Sequence, residues 1–351
     1  MHVHSYLKEH QMTQTLRRNK NRRHVMKTGL YGFGLVIVTA CLFGTPSPSF
    51  AQGKFPSQPI TIVVGFPPGG SNDIVARIIA PKLSSILGVP VIVENRAGAN
   101  ATVGTDFVVR SKPDGYTLTL GSASPLAISP HTYKNLPYTP LKDLVTINTV
   151  ASTPEGIAVH PSVPAKNMAE LVALSKKQDI TMASAGAGGL PHLAIELLKN
   201  ESGGRFVHVP YKGATPAVTD TVGGHVNGVI MDLPVLIPMI KDGRLRGLAV
   251  ADVNRAELTP DLPTTKEVGL PGVLAFNWFA LMAPVKTPST IVERLHAAVV
   301  EAANSPDVKK RLIDVGIAPL TQSSVKDANA FMQSETEKWG KVAKGAGVTA
   351  D

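Results

Sequence analysis

The sequence contains a single cysteine, Cys41, and lacks the usual signatures of catalytic proteins. One thiol excludes an internal disulfide and leaves no second cysteine for redox chemistry. No Gly-x-Ser-x-Gly elbow, Gly-x-Gly-x-x-Gly turn or Gly-Lys-Ser/Thr phosphate loop occurs. His160, His192, His208 and His225 do not have metal-ligand spacing. We therefore expect no enzymatic activity, no cofactor and no metal ion.

The first 52 residues have the pattern of an export signal. Residues 1–27 hold seven Lys or Arg and one Glu, and an apolar stretch follows at 30–44. That stretch is shorter than the roughly 20 residues of a membrane span. Ser49-Phe50-Ala51 has the small-x-small form that signal peptidase accepts. We predict a signal peptide over 1–52, cleavage after Ala51 and a periplasmic protein.

Other interpretations of this segment stay open. The Arg-Arg pair at 22–23 resembles a twin-arginine signal, VTAC at 38–41 resembles a lipoprotein box ending in Cys41, and the apolar stretch is also compatible with a retained anchor. Met26 is an alternative start. The leader carries six of the nine net positive charges, which leaves about +3 for the rest. The charge therefore does not indicate nucleic-acid binding.

Short β-rich runs alternate with longer helical ones, which is typical of α/β units with a mainly parallel sheet. The pattern predicts strands at 60–66, 90–95, 116–122, 180–185, 206–211, 226–232, 245–251 and 278–284. It predicts helices at 72–87, 101–111, 167–178, 191–202, 216–223, 234–242, 289–304, 306–315 and 325–345.

The middle block forms its own β/α set between two blocks that do not stand alone. We assign 53–155 together with 276–351 to a first lobe and 156–275 to a second. The chain would cross between them near 150–158 and 274–282. Two crossings between two lobes make a hinge.

Four loops of small residues follow predicted strands, and each leads into a predicted helix or a run of small residues. They are GFPPGGSND (65–73), GSASPLA (121–127), SAGAGGLPH (184–192) and YKGATPAVTD (211–220). A single such turn is usually structural. Helix N-termini offer free N–H groups and positive dipole ends, and the carboxyl ends of parallel strands form ligand crevices. Four such loops divided between two lobes favour a cleft for a carboxylate.

Individual polar residues near these loops allow more than one role. We interpret Asp73 as a helix cap rather than a base, and Thr215 as a cap followed by Pro216 at the first helical position. His192, at a helix start, is preferred as a hydrogen-bond donor to a ligand over a structural cap. Asp232 ends a strand, and its sequence context favours a cleft position and a structural turn equally.

Seven stretches together resemble the Bug-type extracytoplasmic solute receptors, the binding proteins of tripartite tricarboxylate transporters. They are FPSQPITIVVGFPPGGSNDIVAR (55–77), VIVENRAGAN (91–100), KPDGYTLTLGS (112–122), VHPSVPAKNMAELV (159–172), HVPYKGATPAVTD (208–220), VIMDLPVLIPMIKDGRLRGLAV (229–250) and SPDVKKRL (305–312). The resemblance covers 54–351.

The resemblance implies a two-lobed periplasmic-binding-protein fold, type II-like, that closes on a small mono- or dicarboxylate and delivers it to membrane permease subunits. It also implies recognition through loop amides and water, by a protein that we expect to be monomeric. The predicted ligand-binding residues of the first lobe are Phe66, Pro68, Gly69, Gly70, Ser71, Asn72, Asp73, Ser122 and Ser124. Those of the second lobe are Ala185, Gly186, Gly188, His192, Thr215, Pro216, Ala217 and Asp232.

The sequence departs from the family pattern at two places. Met231-Asp232 stands where the family often has Asp-Asn, and Ala187-Gly188-Gly189-Leu190 stands where polar residues are common. These changes predict a more apolar second-lobe pocket and a ligand with a hydrophobic or aromatic body. A different interpretation of the whole chain is a periplasmic sensor that signals to a membrane partner without transport.

Overall fold

Ten strands form one mixed sheet in the computed structural model, which describes residues 55–350. The predicted signal peptide lies outside the described residues. The strands are β1 Ile60–Val64, β2 Val91–Asn95, β3 Thr117–Ser122, β4 Leu144–Val159, β5 Ile180–Ser184, β6 Phe206–Pro210, β7 Gly228–Asp232, β8 Arg246–Val250, β9 Phe276–Pro284 and β10 Ala318–Pro319.

Helices flank this sheet along its whole length. They are α1 Ser71–Leu87, α2 Thr102–Val109, α3 Ser129–Thr132, α4 Pro140–Asp143, α5 Met168–Ser175, α6 Leu190–Ser202, α7 Ala214–Val222, α8 Leu233–Lys241, α9 Ser289–Asn304, α10 Pro306–Ile313 and α11 Val325–Ala346. Within 55–350, no helix is long and apolar enough to cross a membrane.

Two sets of parallel strands lie at opposite ends of the sheet. The strand order is β2-β1-β3-β9-β4-β7-β5-β6, with β8 and β10 also paired to β4. β1 is parallel to β2 and β3, and β5 is parallel to β6 and β7. Parallel strands need crossover connections, which here are the flanking helices. The prediction of an α/β fold with parallel strands is confirmed.

The long strand β4 joins the two sets. Its first part, Leu144–Pro154, pairs antiparallel with β9, and from Glu155 onward it pairs antiparallel with β7 and β8. Nearly every residue of this 16-residue strand is buried. One continuous strand therefore passes through both halves of the sheet and changes partners at Glu155. The assignment of lobe boundaries and of a hinge stays a prediction.

The first helix follows the predicted pattern. Val75, Ile79, Leu83 and Leu87 recur at four-residue steps, and all four are buried against the sheet. The helix ends at Gly88, whose φ of 74° lies in the left-handed region that glycine favours.

Trp278 of β9 is fully buried. Its indole Nε1 donates to Glu335 Oε2 over 2.8 Å, and Trp339 Nε1 donates to the same oxygen over 3.0 Å. Glu335 and Trp339 both belong to α11. One carboxylate thus joins the C-terminal helix to the centre of the sheet.

Two of the predicted loops differ from the sequence-based prediction. A π-helical turn over Ser124–Ile128 and the short helix α3 occupy the run that was predicted as loop, because Pro125 and Pro130 fall at helix-compatible first-turn positions. Helix α7 begins at Ala214, so Gly213 and not Thr215 is its cap, and Pro216 is its third residue and not its first. Gly213 has a φ of 123°, and a Cβ there would lie 2.7 Å from Pro67 Cδ.

Candidate ligand-binding cleft

The loop between β1 and α1 is held from behind by Asp73. Gly69 N–H donates to Asp73 Oδ2 over 3.1 Å, and Arg77 Nε and Asn95 Nδ2 each donate to Oδ1 over 2.9 Å. Asn95 Nδ2 also donates to the carbonyl oxygen of Phe66 over 3.1 Å. Asp73 therefore fixes the loop conformation, while Gly70, Ser71 and Asn72 present the start of α1 to the cleft.

The charge of Asp73 is stabilised by these partners. Burial by itself would raise the pKa of Asp73, but the hydrogen bonds from Arg77, Asn95 and the Gly69 N–H outweigh it and lower the pKa. Arg77 is half-exposed and is paired to Asp73 over 2.9 Å. Its guanidinium is engaged at the back of the loop.

The loop between β5 and α6 is organised by two stacked histidines. The rings of His192 and His208 lie 3.6 Å apart, and Gly188 N–H donates to His192 Nδ1 over 2.9 Å. His208 Nε2 lies 2.6 Å from Ser184 Oγ. Burial, and secondarily His192, lower the pKa of His208 to about 3, and burial lowers the pKa of His192. Both rings are therefore neutral at neutral pH, and His192 accepts a backbone hydrogen bond at Nδ1.

Loops from the two ends of the sheet contact each other directly. Thr215 Oγ1 donates to the carbonyl oxygen of Pro68 over 3.1 Å, and Leu190 N–H donates to Ser124 Oγ over 3.0 Å. Thr132 Oγ1 donates to the carbonyl oxygen of Gly188 over 2.9 Å. These bonds close the space between the loops in this structure.

Between these loops lies a small, partly open cavity of about 30 Å³. That volume is enough for one or two water molecules. Its walls come from both ends of the sheet and from four helix starts. They are Phe66, Gly70, Ser71, Asn72, Ser122, Ser124, Glu155, Ala185, Pro191, Ala214, Met231, Asp232 and Asn277.

Eight of the seventeen predicted ligand-binding residues line this cavity. They are Phe66, Gly70, Ser71, Asn72, Ser122, Ser124, Ala185 and Asp232. The other nine lie around it. The contact between the loops involves Pro68, Gly69 and Thr215, and Asp73 lies behind the loop between β1 and α1. The loop and helix start after β5 contain Gly186, Gly188 and His192. Helix α7 contains Pro216 and Ala217, of which Ala217 is a core residue.

Five lining residues were not predicted, and Glu155 is the most consequential. It is fully buried, and its carboxyl oxygens accept no hydrogen bond from another residue, while the Asp232 carboxyl lies within hydrogen-bonding reach. It is the only charged residue in the sixteen of β4. The one signal of Glu155 in the sequence is that it is a single acid inside an otherwise uncharged strand, and this signal does not say which residue stands opposite it.

Glu155 stands directly opposite Asp232 in the β4–β7 pairing. Directly opposite residues have Cβ atoms about 4.5–5.5 Å apart. Burial first, then the neighbouring Asp232 carboxyl, raise the pKa of Glu155 well above its usual range. Burial also raises the pKa of Asp232. Two buried acids at this spacing do not both ionise readily, so the pair retains a proton.

Asn277 fixes the second acid. Its Nδ2 donates to Asp232 Oδ1 over 2.9 Å, while its Oδ1 accepts from the backbone N–H groups of Trp278 and Ala123 over 3.0 and 3.3 Å. Two backbone donors on one side determine which end of the amide faces Asp232. Asp232 is therefore held in place, and Glu155 is the acid with unused hydrogen-bonding capacity.

The cavity combines apolar walls with this acid pair. Ala185, Pro191, Ala214 and Met231 supply its apolar part. The apolar second-lobe pocket stays a prediction, since none of residues 187–190 lines this cavity. Among the residues lining it, none is Lys or Arg. Positive potential comes instead from the starts of α1, α6, α7 and α8. Within the described part of the chain, no group of His, Cys, Asp and Glu is arranged to hold a metal ion.

Comparison with known proteins gives a consistent picture. The model of the tripartite tricarboxylate transporter family receptor matches residues 75–348. Protein BugT of Bordetella pertussis is 36% identical over 317 residues, which cover 90% of this chain and 96% of BugT.

Solved structures agree in fold as well as in sequence. The periplasmic binding protein BugD superposes with a TM-score of 0.80 at 32% identity, covering 84% of this chain and 99% of BugD. R. palustris Rpa4515, solved with adipate, gives a TM-score of 0.81 at 31% identity and covers 84% of this chain and 99% of its own.

Proposed function

Because the chain belongs to the tripartite tricarboxylate transporter receptor family, we propose that it captures a small organic acid between two lobes and delivers it to a membrane permease. The family is one of transporter receptors, and its solved members include periplasmic binding proteins. The ligand class, the closing motion and the delivery step are the proposed part.

The observation that carries this proposal is the set of helix starts around one cavity. α1, α6, α7 and α8 all begin with a residue on its wall or immediately beside one. The first N–H groups of a helix lack intrahelical partners, and the dipole there favours negative charge. Such a wall binds a carboxylate through backbone amides and water, without an arginine. The adipate bound to R. palustris Rpa4515 is a ligand of this class.

Closure follows from the size of the cavity. A space of about 30 Å³ admits water but no organic acid. A ligand therefore enters only after the Thr215–Pro68 and Leu190–Ser124 hydrogen bonds have separated. We place the hinge in the two strands that pass between the lobes, β4 near 150–158 and β9 near 274–282. The lobes are then 53–155 with 276–351, and 156–275.

The test is a thermal-shift and calorimetry screen of the protein without its leader. Adipate and a panel of mono- and dicarboxylates are added one at a time. At least one acid is expected to raise the melting temperature and to reduce the radius of gyration in solution scattering. Absence of any stabilising acid contradicts the ligand class, and stabilisation without compaction contradicts the hinge.

Export and delivery need separate measurements. The proposed signal peptide predicts a mature protein that begins at Gln52, which N-terminal sequencing of exported protein checks. Delivery predicts that acid uptake by cells requires both this protein and its permease. Ligand-dependent signalling with unchanged uptake contradicts delivery and supports a sensor instead. We expect the exported protein to be a monomer, which light scattering measures.

A further inference from the structure

The proposed capture of a carboxylate leaves the Glu155–Asp232 pair without a role. Helix starts attract negative charge, whereas two acids in the same cavity repel it. Both acids are more than nine-tenths buried. A buried acceptor without a donor costs free energy. The acceptor positions of Glu155 that no donor fills are therefore a feature that the ligand itself should complete.

The hydrogen-bonding inventory decides what completes them. The pair has four carboxyl oxygens, and the donors near it are one Asn277 N–H and the retained proton. Ser71 Oγ, also buried on the cavity wall, interacts with the Asp232 carboxyl and supplies at most one more hydrogen. Acceptors outnumber donors, so this end of the cavity suits a group that donates. A carboxylate, which only accepts, does not fit there.

The surroundings leave little freedom to rearrange. Glu155 N–H donates to the carbonyl oxygen of Ala275, and its own carbonyl oxygen accepts from Ala251 N–H, over 2.9 and 2.8 Å. Asn277 is held by two backbone donors and keeps Asp232 in place. The acids are thus fixed by strand pairing and are not relieved by a side chain turning toward them.

We propose that the Glu155–Asp232 pair determines ligand selectivity by accepting a hydrogen bond from a hydroxyl or ammonium group of the bound acid. This inference rests on the proposed function, since it assumes that the ligand is a small organic acid. The carboxylate of the ligand faces the helix starts, and its N–H or O–H group faces the pair. The receptor therefore selects substituted acids over the plain acid of the same length.

The experiment compares matched acids by calorimetry. For each chain length, the plain acid is measured with its hydroxy and amino derivatives at carbon 2 and carbon 3, for example succinate, malate and aspartate. The hydroxy or amino acid is expected to bind at least about tenfold more tightly than the plain acid, as for a hydrogen bond to a charged group.

Two variants assign this preference to Glu155. Glu155→Leu removes both oxygens and is expected to reduce the preference to about twofold or less. Glu155→Gln keeps one acceptor oxygen and replaces the other with an N–H₂ group that only donates, so it is expected to reduce the preference less than Glu155→Leu does. Circular dichroism and the melting temperature establish that each variant is folded.

The outcomes separate the two proposals. If no acid of any kind binds the wild-type protein, the proposed function fails and this inference fails with it. If acids bind but the plain acid binds equally well, the selectivity role is overturned and the proposed function stands. The selectivity role is also overturned if Glu155→Leu folds and keeps the full wild-type preference. If Glu155→Leu does not fold, full preference in folded Glu155→Gln overturns it.

Discussion

Thr215 and Pro68 join the two proposed lobes through one hydrogen bond, from the Thr215 hydroxyl to the Pro68 carbonyl oxygen over 3.1 Å. The threonine is at the start of α7 and the proline is in the loop before α1. Gly70 and Ala214, close to these two residues in the chain, line the cavity. We expect the bond to form only when the cleft is closed.

Thr215→Ala should weaken ligand binding by favouring the open form. A single neutral hydrogen bond contributes about 0.5–1.5 kcal/mol, which corresponds to a loss of roughly two- to tenfold in affinity. Thr219→Ala is the control, because Thr219 is also exposed in α7 but bonds only to the Thr215 carbonyl oxygen. Equal affinities of the two variants would contradict a role for Thr215 in closure.

Gly69→Ala should reduce affinity more than its effect on stability explains. Gly69 has a φ of 87°, and an added Cβ would lie 3.2 Å from Thr215 Oγ1. Gly88→Ala is the matched control, since its φ of 74° carries similar strain but its Cβ would meet nothing within 4 Å. We expect both variants to lose about 1–2 kcal/mol of stability, and only Gly69→Ala to bind poorly. If Gly69→Ala and Gly88→Ala lose affinity equally, the ligand does not bind beside Gly69.

Glu155→Gln should change how stability depends on pH. The pKa of Glu155 is raised in the folded protein, so the folded state keeps a proton that the unfolded state releases above its ordinary value of 4.5. The contribution of Glu155 to the free energy of unfolding of the wild type is thus fully present below pH 4.5 and is lost as the pH rises toward the pKa of the folded state. The variant lacks this loss, so the difference in melting temperature should shift in favour of the variant as the pH rises above 4.5.

Parallel melting curves of wild type and Glu155→Gln over that range would show that Glu155 keeps its ordinary pKa. The measurement is a series of thermal melts without ligand, in buffers of constant ionic strength.

Glu335→Ala should destabilise the fold without altering selectivity. It leaves two buried indole N–H groups, of Trp278 and Trp339, without an acceptor. Each costs about 1–3 kcal/mol, which urea denaturation detects. Glu337→Ala on the same helix is the control, because Glu337 makes only an exposed bond with Gln333. A loss no larger than that of the control would contradict this role.

Much of the fold could be predicted because its periodicities are strong. The buried residues of α1 recur at helical spacing, and β1, β5 and β7 are short apolar runs that end at glycine or polar residues. The loops after them could be located for the same reason. Which residue of each loop faces the cavity could not be predicted, because that depends on hydrogen bonds such as the one from Gly69 N–H to Asp73.

Glu155 could not be placed from local pattern alone. Its neighbours in β4 predict a buried crossing strand, and a lone acid there has no periodicity of its own. Only the register that sets it opposite Asp232, more than seventy residues later in the chain, makes the pair. His192 illustrates the same limit, since its role depends on stacking with His208 of another strand.

The change of strand partners at Glu155 has a mechanical consequence. Glu155 lies in the proposed hinge, whereas Thr215 and Pro68 lie in the loops that meet when the two proposed lobes close. A ligand group bound at the hinge has little effect on the contact between these loops. We therefore expect ligand selectivity and ligand dissociation to be controlled separately in this protein. The acid pair determines which solute binds, and the Thr215–Pro68 contact determines how slowly the solute dissociates.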